Sequence, residues 1–440
     1  MAALFRGGIY PDYNKEKTFA SPVVEPPAPQ KVVIPLSQHT GEECRPLVQV
    51  GEHVLMGQRI GEADAEISCP VHASVSGTVT DISEQWHPCG LRRLAVTIKN
   101  DFADMPDASC EPYEGDPLQM TPEQIIQYAY DAGIAGMGGG GFPLCAKLRA
   151  GLDKGIDILI VNGMESEPFV TCDHRAMVEY PNTILDGVRL VMRCVGPRQV
   201  FVAIGDDMPD AINTMQTLCA SDRNIQVIPL RAKYPQGGEK QLIQAVTGRE
   251  VAPGTVPLDI GCIVLNVDTC TSLARAVYKG RPLIKRIVTV SGSAVITPKN
   301  LLVRIGALYR DVFDHCGGFY AVPYKIVAGG PLLGQAQHHL ETPVIKDTSA
   351  LLAFCGDEDT FEDKPTCIRC GMCVRVCPMK LMPNYIYFAS NAGEYDRCAR
   401  LNVEDCIECG SCSYGCPGKL YLMQSIRKAK KIVKDRRILS

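Results

Sequence analysis

The chain has 440 residues, length enough for roughly three domains. Its mean hydropathy of zero with 46% hydrophobic residues excludes general disorder, and a formal net charge of −4 excludes the basic excess of a nucleic-acid binder. Cysteine is the outlier: 21 in a large chain point to metal chemistry in a reducing compartment and away from a disulfide scaffold.

The opening residues Met1-Ala-Ala-Leu-Phe5-Arg-Gly7-Gly8 lack the apolar core of a secretory signal. The longest apolar runs, 156–161 and 262–267, fall far short of the ~20 residues a membrane-spanning helix needs. The expectation is a cytoplasmic protein, soluble or peripheral on a membrane. Residues 22–29 are proline-rich and read as an extended arm. From 31 to 98, short apolar runs alternate with Gly51, Gly57, Gly61 and Gly77, which suggests a small β-sandwich or barrel. Strands are expected at 31–35, 54–60, 75–82 and 94–98, and a polar linker at 101–122.

Thr121-Pro122-Glu123-Gln124 offers an N-cap and a first-turn proline for a helix. The runs 156–161, 199–204, 225–230 and 262–267 read as buried strands with helical patterns between them, hence a largely parallel sheet. Gly136-Met-Gly138-Gly139-Gly-Gly-Phe142-Pro fits G-x-G-x-x-G but follows a helical pattern, so it is not a dinucleotide fingerprint. What survives is a glycine run whose amides can approach a phosphate or a flat ring, ahead of a helix N-terminus and Lys147. Asn162-Gly-Met-Glu-Ser-Glu167-Pro, Tyr234-Pro-Gln-Gly237-Gly-Glu239-Lys and Asn266-Val-Asp-Thr269 each follow a strand, at the end where open α/β sheets bind ligands. Together the four loops suggest one shared site. Residues 286–331 read as α+β, with strands at 287–291 and 324–328 and a helix at 301–305.

The cysteine ladder follows. Cys367-x2-Cys370-x2-Cys373-x3-Cys377-Pro is repeated as Cys406-x2-Cys409-x2-Cys412-x3-Cys416-Pro. Three cysteines at steps of three can grip three irons of one cubane, and the fourth, before proline, ligates the other cluster. This assigns Cys367, Cys370, Cys373 and Cys416 to one [4Fe–4S] cluster, and Cys406, Cys409, Cys412 and Cys377 to the second. Structural zinc usually takes two pairs with a long break, not four close cysteines plus proline, twice. Helical material is expected at 384–392 and 394–401, so the module should be mostly helical. The other thirteen cysteines should pack as small hydrophobes. The basic tail 421–440 reads as an amphipathic helix, either packed on the cluster module or lying on an anionic membrane or partner subunit.

The four loops resemble those of the NADH- and FMN-binding flavoprotein subunit of respiratory complex I. The resemblance implies that Gly136, Gly138, Gly139 and Lys147 hold the FMN phosphate and ribityl side, while Asn162, Gly237, Asn266 and Thr269 line the flavin. It implies further that Phe142 faces NADH and that Glu167 and Glu239 accept hydrogen bonds from NADH hydroxyls. Met137, Met164 and Gly238 depart from that family, where an arginine, an acid and a glutamate stand. Across nearly the full chain, Phe5-Arg-Gly-Gly-Ile9, Asn162–Pro168 running into Thr171-Cys-Asp-His-Arg175, and Tyr234-Pro-Gln-Gly-Gly-Glu239 resemble the RnfC family, a subunit of the Rnf ion-translocating electron-transport complex. Residues 54–82 also resemble a lipoyl/biotinyl carrier, but the hairpin 63–74 contains no lysine to modify, so a structural or docking module is expected.

The expected fold is multidomain α/β and α+β. It comprises an arm and β-rich barrel-sandwich hybrid (1–105), an α/β flavoprotein-like domain (118–258), a β-grasp, SLBB-like domain (259–340), a mostly helical dicluster ferredoxin module (350–420) and the tail. The resemblance implies an NADH-handling subunit with FMN and two [4Fe–4S] clusters, acting in NAD–ferredoxin oxidoreduction coupled to Na+ or H+ translocation. Its partners would be integral-membrane and ferredoxin-type subunits, with ferredoxin served indirectly, at the cytoplasmic face of the bacterial membrane. The alternatives are a soluble microcompartment cobalamin reductase, whose hybrid module follows its clusters, and an electron-wiring scaffold without a working flavin site.

Overall fold

A computed structural model describes residues 5–356 and 365–439. Residues 31–100 form two small antiparallel sheets. One orders the strands Lys31–Pro35, Arg92–Asn100, Gly77–Trp86 and His53–Val54, and the other Arg45–Pro46, Arg59–Glu62 and Val71–His72. Val32, Ile34, Ile60, Val79, Val96 and Ile98 fill the space between them, so this is the expected hybrid domain. The strand expected at 54–60 is broken into two. Gly57 takes φ +89° in the turn between them, a left-handed conformation that glycine adopts without strain.

The central domain is a four-stranded parallel sheet ordered Ile225–Leu230, Gln199–Gly205, Ile158–Gly163, Cys262–Asn266. The helix Pro122–Asp131 opens with a capping box between Thr121 and Gln124, as the sequence predicts. Two successive strands step outward from Ile158–Gly163 to one side, and the last returns to its other side. The sheet's switch point therefore lies between Ile158–Gly163 and Cys262–Asn266. The pairing of Cys262–Asn266 into this sheet overturns the expected boundary at 258, since a parallel strand and its following helix, Val267–Lys279, cannot be detached from the layer they cover.

The third unit is a six-stranded sheet packed by the helix Tyr309–His315. Two expectations fail here. Residues 301–305 are not helical: Lys299–Arg304 is a strand, antiparallel to Lys285–Ser291. The domain also does not end at 340, because Ala350–Phe354 pairs on both sides inside the sheet. The arm supplies its edge strand, Val23–Val24, parallel to Lys299–Arg304. The last module is helical, with Pro383–Asn391 and Tyr395–Arg400 close to their expected places. The tail helix Leu422–Leu439 belongs to it: Leu422, Ile426, Ala429 and Val433 are buried against Ile386, Cys398 and Val403. The expected boundary at 420 therefore cuts through one core. Among the described residues, no helix is long and apolar enough to cross a membrane.

Candidate functional site

Asn162 and Asn266 end the two strands at the switch point and are register partners across the sheet. Asn162 donates to Gly237 O at 2.9 Å and accepts from Met164 N, which ties the second and third loops together. Asn266 caps the helix Val267–Lys279 by accepting from Asp268 N at 2.8 Å, and its amide donates to Asp173 at 2.6 Å. Asp173 is enclosed with Glu165 and Asp268, and both burial and those two carboxylates raise its pKa. Glu165 in turn accepts from Asp173 N and His174 N, capping the helix Cys172–Glu179.

The glycine loop joins the same place. Met137 N donates to Thr269 Oγ1 at 3.1 Å, and Gly138 lies 3.5 Å from Asn266 Cβ by its Cβ direction. Gly139 has φ +92°, and neither it nor Gly140 has any atom within 4 Å on the side a Cβ would occupy. Open space over exposed backbone is what a phosphate or a ring requires. Phe142 closes the loop by accepting from Gly136 N at 2.8 Å. Lys147 reaches in from the helix Leu144–Lys154, donating to Val264 O at 2.7 Å and to Glu239 at 3.0 Å. One of its three N–H donors remains for an anion. All four loops therefore meet. Met137 and Met164 turn into apolar cores, so they remove polar contacts without filling the site.

Glu167 is the exception. Its carboxylate does not join this cluster of loops but accepts from Leu332 N at 3.1 Å, Leu333 N at 3.0 Å and the Tyr234 hydroxyl at 3.1 Å. The expected role as an acceptor from NADH hydroxyls is corrected on that ground, since its oxygens are already engaged. Desolvation pushes its pKa up to about 7 even against these donors. Tyr234 carries the contact onward, its hydroxyl lying 2.6 Å from Cys409 O.

The cysteines divide as the interleaved reading expects. Cys367, Cys370, Cys373 and Cys416 line one cavity of about 330 Å³. Cys377, Cys406, Cys409 and Cys412 line a second of the same size. Both the donor set and the spacing fit [4Fe–4S] clusters. The two loops are built alike: Arg369 and Glu408 take φ 56° and 57°, Gly371 and Gly410 φ 73° and 74°. The second cavity faces the central domain, through the apolar contact of Cys409 with Tyr234 and Ile9. Of the thirteen other cysteines, ten are buried; Cys110 and Cys355 are partly so and Cys89 is exposed.

Sequence reasoning missed Tyr234, although it opens a quoted motif, because its partner is a backbone carbonyl. It also missed Lys15, which donates to Glu165 O at 2.6 Å from the arm.

Comparisons with known proteins agree with this layout. Residues 3–103 match the RnfC barrel sandwich hybrid domain, 129–275 the Nuo51 FMN-binding domain, 287–336 the SLBB domain and 360–430 the 4Fe-4S dicluster domain. The hybrid domain thus precedes the clusters, which disfavours the cobalamin-reductase alternative. The fold is similar to that of an NAD+-reducing [NiFe]-hydrogenase chain, with TM-score 0.50 and 19% identity over 74% of this chain and 64% of that one. The RnfC subunit of the ion-translocating oxidoreductase complex of Vibrio cholerae serotype O1 is 36% identical over 91% of this chain and 52% of its own length. Its counterpart in the proton-translocating ferredoxin:NAD(+) oxidoreductase complex of Clostridium ljungdahlii is 41% identical over 88% of this chain and 84% of that one. The counterpart in the Na(+)-translocating ferredoxin:NAD(+) oxidoreductase complex of Acetobacterium woodii is 42% identical over 98% of both chains, and by that likeness the chain belongs to the RnfC family of Rnf complex subunits.

Proposed function

We propose that the chain is the NADH-handling electron-transfer subunit of an ion-translocating ferredoxin:NAD(+) oxidoreductase complex. It sits peripherally on the cytoplasmic face of the bacterial membrane, and ion translocation belongs to integral-membrane partners. Ferredoxin is reached through a ferredoxin-type subunit. The observation that carries this reading is the shared junction of a four-loop site at a sheet switch point and a cysteine-lined cavity, bridged by Tyr234.

In this reading Gly136, Gly138 and Gly139 present backbone to the phosphate and ribityl side of FMN, with Lys147 supplying charge. Asn162, Gly237, Asn266 and Thr269 line the flavin, and Phe142 and Glu239 face the nicotinamide nucleotide. The chemistry FMN supplies when bound is the conversion between two-electron exchange with a nicotinamide and one-electron exchange with iron–sulfur clusters. Asp173 orients Asn266 from behind, and Tyr234 fixes the loop of Cys409 against the site.

Anaerobic purification from membranes tests the whole reading. Stoichiometric FMN, NADH-dependent bleaching of flavin and cluster absorbance, and co-purification with integral-membrane subunits are expected. Clusters without FMN and without any NADH response would leave only the wiring scaffold.

A further inference from the structure

The hybrid domain resembles a carrier whose hairpin bears no lysine, and that hairpin is not free. Cys145 Sγ donates to Ser68 O at 3.6 Å, and buried Lys346 donates to Pro70 O at 2.8 Å and to Gly133 O at 2.6 Å. A Cβ on Gly133 would stand 2.3 Å from Pro70 O and 3.0 Å from His72, so hairpin and central domain touch backbone to backbone just before the glycine loop.

From the hairpin a chain of hydrogen bonds runs to the loop itself. Cys69 N donates to His39 Nε2 at 3.3 Å, and His39 Nδ1 lies 3.2 Å from Thr40 O. With Nε2 accepting, the ring proton sits on Nδ1 and is donated to Thr40 O. Burial, aided by the Lys346 charge, lowers the His39 pKa to about 4, which keeps this neutral form at working pH. Thr40 then makes two bonds to the glycine loop: its N–H donates to Gly141 O at 2.9 Å and its hydroxyl to Gly140 O at 2.9 Å. Those carbonyls adjoin Gly139 and Gly140, whose open faces mark the binding side. The loop's other anchors, Met137 N on Thr269 and Gly136 N on Phe142 O, lie at its base.

We infer that the hybrid domain is a fixed wall of the nucleotide site and that Thr40 is a positioning residue holding the tip of the glycine loop in its binding conformation. This rests on the reading of 136–142 as the nucleotide loop. The carrier-like hairpin thus has a static role, docked in place where the hairpin of a carrier would swing.

The test uses the full chain, reconstituted with clusters and FMN, as T40V, T40S and a control, T80V, whose Thr80 hydroxyl bonds Thr97 O elsewhere in the hybrid domain. Amide exchange of 136–142 is measured without nucleotide, together with FMN retention and with KM and kcat for NADH using ferricyanide as acceptor. T40V should speed exchange in the loop and raise KM roughly three- to ten-fold, the loss of one net hydrogen bond, with kcat little changed. T40S should restore both values and T80V should change neither. Unchanged loop exchange in T40V overturns the wall. Faster exchange with unaltered KM and FMN retention overturns instead the assignment of the loop to nucleotide.

Discussion

Glu167 shows what a motif can and cannot specify about one residue. The Tyr234 hydroxyl has a single proton and two acceptors, Cys409 O at 2.6 Å and Glu167 Oε1 at 3.1 Å. A protonated Glu167 can donate back to the phenol oxygen, which satisfies both and agrees with the burial-driven rise to about 7. A carboxyl whose native pKa is raised stabilises the fold fully below its ordinary value of 4.5, and that contribution is lost as pH rises through 7. Urea titrations of the holoprotein should therefore show stability falling across that window, with the fall absent in E167Q. Y234F should cost about 1–3 kcal/mol, because the Cys409 carbonyl is left without its donor, and should raise amide exchange around 407–411 more than KM for NADH. The cysteines and the strand-end asparagines were legible because spacing and strand position carry their roles. Glu167 was not, since two of its partners are backbone N–H groups of Leu332 and Leu333, which leave no mark in side-chain identity.

At the scale of elements, the two cysteine loops repeat so closely that their differences become informative. Gly371 and Gly410 hold equivalent left-handed positions, where any other residue costs about 1–2 kcal/mol. A Cβ on Gly371 meets nothing within 4 Å, whereas one on Gly410 stands 2.8 Å from Leu332 O. G371A should therefore keep most of its iron. G410A should lose the cluster of Cys377, Cys406, Cys409 and Cys412 in preference, read as iron and sulfide content falling towards half with one EPR signal remaining. The tail helix reinforces the same loop, since Lys430 donates to Cys406 O at 2.7 Å and pairs with Glu408, as does Arg427. Helix and strand placement was legible wherever runs were long or capped. It failed at 301–305, because a five-residue apolar run has no period to read and only pairing with Lys285–Ser291 decides its form.

At the scale of the molecule, the order of four modules was legible from their motifs, but the thread that binds them was not. The arm crosses from module to module through contacts hundreds of residues apart in sequence. Gly8 N donates to Val376 O at 2.8 Å, Ile9 exchanges both backbone hydrogen bonds with Tyr234, and Asn300 donates to Thr18 O at 2.8 Å. Gly7 sits at the tightest point, at φ +84°, where a Cβ would stand 2.6 Å from Cys377 O and 2.8 Å from its carbonyl carbon. Those atoms are backbone and cannot swing aside, so G7A must shift either the arm or the loop of a cluster ligand. The glycine loop and its anchors lie outside this contact. NADH should therefore still reduce flavin in G7A with an ordinary KM, while NADH-driven reduction of the clusters slows and dithionite still reduces both. Stopped-flow absorbance with freeze-quenched EPR separates these steps. Cluster reduction as fast as in the unaltered chain would mean that the arm does not set the distance between the flavin domain and its electron acceptor.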